Sequence, residues 1–131
     1  MIYKTIESRH AVWVSTENSF ETIRANFIKK KGGSGFEKDF RIRNRFVDED
    51  HAVSLWLPEG NMAGFEYMVE DVLAACEKRM GPAQITYIFA LEDFDYDAGI
   101  RENEVLTFLG NLNLRFRIRD WAAERSMCQG G

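Results

Sequence analysis

The sequence predicts an α+β fold: a two-layer sandwich with a mainly antiparallel sheet of about four strands and two main helices packed against it. Two observations lead there. Strand-like and helical segments follow as strand, helix, short helix, strand, long helix, strand, strand, an order that suits antiparallel pairing. The last strand alternates apolar and polar residues with period two, which suits a sheet with one wet face. At 131 residues, of which 45% are hydrophobic, the chain fits a single domain over 1–131 with a real core.

Ala11-Val12-Trp13-Val14 is rich in β-branched and aromatic residues and reads as the first strand. Thr16, Asn18 or Ser19 can cap the helix that follows. Phe20, Ile23, Phe27 and Ile28 form its apolar face. The helix is expected to run into Lys29-Lys30-Lys31, where cations suit the negative helix end, and to stop at Gly32-Gly33. Gly32-Gly33-Ser34-Gly35 is too short to separate domains, and Phe36 with Phe40 predicts one helical turn. Ala52 to Leu57 reads as the second strand, stopped by Pro58.

Asn61 is the expected cap of the longest helix. Its stripe is Met62, Phe65, Met68, Val69, Val72, Leu73, Cys76 and Met80, and Gly81-Pro82 stops it. Ile85 to Leu91 is nearly continuous apolar residues, so this strand is expected to be covered on both faces. In the last strand Phe108, Gly110, Leu112, Leu114, Phe116 and Ile118 alternate with Asn111, Asn113, Arg115, Arg117 and Arg119. Trp121 to Arg125 predicts a short terminal helix.

Composition narrows the function. No apolar run approaches the roughly 20 residues of a membrane span. The N-terminus lacks a secretory pattern, so cytoplasmic residence is the expectation. Cys76 and Cys128 form no CxxC motif, and in a reducing compartment both are expected as thiols. A net charge of −4 argues against a dedicated nucleic-acid binder, although Arg115, Arg117 and Arg119 on one strand face, with Arg41, Arg43 and Arg45, allow such a reading. The plainer reading is a solvated face paired with carboxylates. His10 and His51 are the two histidines, and neither has a second at ligand spacing. The chain shows no nucleophile elbow, Walker loop or dinucleotide fingerprint. No catalytic set assembles, and no enzyme or cofactor is expected.

The acidic segment Glu92-Asp93-Phe94-Asp95-Tyr96-Asp97 stands out. Asp93, Asp95 and Asp97 match positions one, three and five of a calcium loop, and Glu104 matches position twelve. Against calcium, Ala98 stands where the loop needs glycine, and the flanks read as strands. The plainer expectation is a solvated hairpin loop, with Phe94 and Tyr96 packing inward and the carboxylates facing water.

Several stretches occur in order over most of the chain, from about Ala11 to Phe116. They are Val12-Trp13-Val14 with Ser19-Phe20-Glu21; Gly35-Phe36-Glu37-Lys38-Asp39-Phe40 leading to Phe46-Val47-Asp48-Glu49-Asp50; Leu91 to Asp97 after an apolar strand; and Phe108-Leu109-Gly110. Together they resemble the immunity protein 22 family of bacterial polymorphic toxin systems. Gly32-Gly33 and Arg41-Ile42-Arg43 depart from that pattern, and the tail after Phe116 lies outside it. The resemblance implies a non-enzymatic inhibitor that binds a cognate toxin domain, with nucleases among the expected toxins. The partner-binding residues it suggests are Asp48, Asp50, Asp93, Phe94, Asp95, Tyr96 and Asp97. An acidic patch with embedded aromatics can fill a basic cleft. A segment shared by inhibitors of different toxins can equally maintain the fold, which makes Lys29–Arg45 a rival contact surface. The alternative function is a calcium-binding or nucleic-acid-associated regulatory domain.

Overall fold

Ala11, Val12, Trp13 and Val14 are fully buried and mark the centre of strand β1 (Tyr3–Ser15). A computed structural model describes residues 1–28, 30–31, 33–42, 52–81 and 84–129. β1 pairs antiparallel with both β3 (Tyr87–Glu92) and β4 (Thr107–Arg119). β2 (Ala52–Trp56) pairs with the other side of β3, so the sheet order is β2-β3-β1-β4. The α+β class and the four-stranded antiparallel sheet are as the sequence predicts.

Period-two alternation sorts the core. Val12 and Val14 of β1 and Ile88 and Ala90 of β3 meet Met68, Val69, Val72 and Cys76 of helix α3 (Glu66–Met80). Ala11 and Trp13, with Tyr87, Phe89 and Leu91, point the other way. They meet Ile23 of α1 (Phe20–Ala25), Phe36 of α2 (Gly35–Asp39), and Phe40, Tyr96 and Leu106. β3 is therefore dry on both faces, which is why its sequence is continuously apolar. Trp13 is the hub of the second cluster, with ring contacts to Phe36, Phe40, Phe89, Tyr96 and Phe108. Helix α4 (Trp121–Gln129) follows β4, and its first turn is capped by Asp120, whose carboxylate accepts from the Ala123 N–H.

The structure departs from the sequence reading in several places. β1 begins at Tyr3 instead of Ala11, because its polar first half is held by pairing with β4. There Glu7 stands opposite Arg115, and the Arg117 guanidinium lies 4.4 Å from the Tyr3 ring centroid. α1 ends at Ala25, well before the lysines. Asn26 ends it because its carbonyl accepts the Phe36 N–H at 2.8 Å and its side chain accepts from Asn103 at 2.9 Å. α3 starts at Glu66 with no side-chain cap, so Asn61 does not cap it. Gly64 adopts φ +87° just before the helix, and its carbonyl accepts the Arg117 N–H at 3.2 Å. Leu73 and Met80 fall outside the buried stripe and are exposed.

The alternation in β4 also breaks. Trp13 pairs with Phe108 and Val12 with Gly110, so Leu109 is skipped in a β-bulge. Gly110 sits there at φ +153°, a conformation that favours glycine. The bulge sends Phe108 to the Trp13 face and Leu109 to the α3 face. The Arg79 guanidinium, in the last turn of α3, donates to the Leu109 carbonyl.

β4 stands at one end of the sheet order, and two of its N–H groups bond outward, away from β1. The Asp71 carboxylate takes the Arg115 N–H at 3.2 Å, and Gly64 takes that of Arg117. Both bonds take donors away from edge-to-edge pairing with another chain over this part of the strand. Among the described residues, no helix is long and apolar enough to cross a membrane.

Candidate functional site

β3 and β4 are consecutive in the chain but lie on opposite sides of β1. The segment 93–106 therefore crosses the second face of the sheet and is not the hairpin loop the sequence suggested. Non-neighbouring strands cannot be joined by a tight turn.

The crossing starts at Asp93, whose φ of +52° is a left-handed conformation that aspartate tolerates. Its N–H donates to the Arg9 carbonyl at 2.9 Å, which adds one rung to the β1–β3 ladder. Phe94 is half-buried against the aromatic cluster. Asp95 is exposed and accepts from Arg9 Nε at 2.8 Å. Both partners are about half exposed, so this pair contributes only ~0–1 kcal/mol.

Tyr96 fixes the segment to the core. It is 5% exposed, and its hydroxyl donates to the Phe40 carbonyl at 2.6 Å. Its ring stands edge-on to Trp13 and Phe108, with centroids at 5.3 and 4.8 Å. Its backbone is held from both sides by Asn111: the N–H donates to Asn111 Oδ1 at 2.8 Å and the carbonyl accepts from Nδ2 at 3.1 Å. Burial pushes the Tyr96 phenol pKa up. Asp97 is exposed beside it. Farther along, Asn103 Oδ1 accepts the N–H groups of Val105 and Leu106, while its Nδ2 donates to Asn26 and Asp39, each at 2.9 Å. The segment is thus tied to β4, α1 and α2.

Of the residues singled out from the sequence, Asp93, Asp95 and Asp97 emerge together at the surface, Phe94 lies half beneath, and Tyr96 is inside. Asp48 and Asp50 lie outside the described residues, as do Arg43, Arg45 and His51. Among the described residues no three His, Cys, Asp or Glu side chains are placed to hold a metal ion. The calcium template in the sequence thus has no matching cluster here. The arginines of β4 are individually engaged. Arg115 pairs with Asp71 at 2.5 Å, and Arg119 pairs with Glu124 at 2.6 Å and lies 3.7 Å from the Trp121 ring centroid. The Arg115 hydrogen bond holds the Asp71 carboxyl below its ordinary pKa, and that of Arg119 does the same for Glu124.

Sequence reading missed the residues that position the segment: Arg9, Asn103 and Asn111. Asn111 carries the one legible signal, since asparagine is depleted inside strands. No protein-family model matches the chain, and no curated protein or solved structure matches it.

Proposed function

We propose that this chain is an immunity protein of a bacterial polymorphic toxin system, which acts in the cytoplasm by binding and neutralising a cognate toxin without chemistry of its own. One observation carries the reading: Asp93, Asp95 and Asp97 are exposed on a segment whose intervening Tyr96 is locked into the core. Carboxylates mounted in this way meet a basic cleft with little ordering cost, and they steer association electrostatically. A nucleic-acid-cleaving toxin supplies such a cleft. The family resemblance supports the same reading. The nucleic-acid alternative draws less support, because Arg115 and Arg119 are already matched by carboxylates.

The test is co-purification with the C-terminal domain of a toxin encoded beside this gene. The wild-type chain is expected to hold the domain, and a D95A/D97A variant with unchanged melting temperature is expected to lose much of it. Absence of any complex with the wild-type chain would sink the pairing.

A further inference from the structure

On the α3 face, the sheet extends past its helix. β3 stops at Glu92, while β1 and β4 continue as a two-stranded ribbon, and α3 begins only at Glu66. This leaves a groove of ≈ 450 Å³, within the range of small-ligand sites. Ser8 and His10 line its floor, and Phe65 and Phe116 stand edge-on to each other with centroids 6.0 Å apart. Glu92 also lines it, directly opposite His10 in the β1–β3 register.

Its polar groups point to one kind of guest. Glu92 is exposed and forms no ion pair with a described residue. Arg117 and Arg119 also line the groove, but their guanidinium groups are engaged elsewhere, over Tyr3 and with Glu124. His10 is 1% exposed, and its Nδ1 lies 3.2 Å from the Ser8 carbonyl. Ser8 Oγ lies 3.4 Å from that same Nδ1. What the groove presents to a guest is one exposed carboxylate, Glu92, beside the half-buried Phe65 ring and the exposed Ile6 and Ile118 side chains.

We propose that this groove receives an arginine side chain of a protein partner. Glu92 takes the guanidinium fork, and the stem lies against Phe65, Ile6 and Ile118. Arginine suits this set better than lysine, because its planar fork presents several donors and packs on aromatic surfaces. The proposal rests on the inhibitor reading only for the source of that arginine.

The test titrates the isotope-labelled full chain with N-acetyl-arginine amide and follows its amide NMR signals. Shifts are expected at His10, Phe65 and Glu92, saturating at about millimolar concentrations for a ligand of this size. The lysine amide should bind more weakly, and E92Q should weaken arginine-amide binding about fivefold. The proposal fails if the groove signals stay still, if leucine or glutamate amides move them equally, or if E92Q changes nothing. Arginine-amide binding by a chain that ignores the neighbouring toxin domain upholds the groove and retires the inhibitor reading. Toxin binding with a silent groove does the reverse.

Discussion

Replacing Tyr96 by phenylalanine removes one atom and tests how the acidic segment is held. The hydroxyl donates to the Phe40 carbonyl at 2.6 Å, with Phe40 itself fully buried. Losing a neutral hydrogen bond costs about 1 kcal/mol, and leaving a buried acceptor without its donor raises the cost toward about 2 kcal/mol. The ring remains, so its edge contacts with Trp13 and Phe108 persist. For a chain of this length, about 2 kcal/mol corresponds to a fall of roughly 6–10 °C in Tm. Tyr96→Ala also empties the ring's site, for a total of about 3–5 kcal/mol. D95A and D97A should each stay within about 1 kcal/mol of wild type, since both side chains are exposed and the Arg9–Asp95 pair is solvent-screened. Urea unfolding followed by tryptophan fluorescence and circular dichroism measures all four variants. A Y96F variant within about 0.5 kcal/mol of wild type, or D95A as costly as Y96F, would refute the division between buried anchor and exposed carboxylates.

Three further outcomes follow from the same geometry. Asp71→Asn should cost about 1 kcal/mol at neutral pH, because Arg115 loses its carboxylate partner. The Arg115 hydrogen bond lowers the folded-state pKa of Asp71, so its contribution is present above the ordinary value of 3.8 and fades as pH falls through the lowered one; unfolding midpoints of wild type and D71N should converge as the pH is taken below 3.8. Burial pushes the Tyr87 phenol pKa from 10 up to about 12, so stability should decline as pH rises between those values, and tyrosinate absorbance should appear together with unfolding. Gly110→Ala should cost about 1–3 kcal/mol by denaturant unfolding, because the bulge requires φ +153°.

How much of this was readable beforehand depended on whether a segment's own composition or its neighbours decide its structure. Ile85 to Leu91 announced a strand buried on both faces, because burial itself selects a continuous apolar run. The i, i+4 spacing of Phe36 and Phe40 predicted the turn of α2, and the Ser34–Glu37 capping box that starts it, a local device, went unread. Tyr3 to Arg9 gave no strand signal, because its pairing is stabilised by the partner strand β4. Simple alternation in β4 placed Phe108 on the wrong face, since a bulge at Leu109 and Gly110 cannot be read from period two alone. The acidic segment was legible as a cluster of charge and as an inward-packing pair of aromatics. Its course across the sheet was not, because that depends on β1 lying between β3 and β4. The pairing of His10 with Glu92 is equally a product of strand register.

Under the proposed function, the carboxylates displayed on the core-anchored segment meet a basic toxin surface. The decisive measurement is stopped-flow association with the C-terminal domain of a toxin encoded beside this gene, across a range of salt concentrations. The association rate is expected to fall steeply with salt, and the D95A/D97A variant to be slower and less salt-sensitive while remaining as stable as wild type. Identical rates and salt slopes for the two proteins would contradict it.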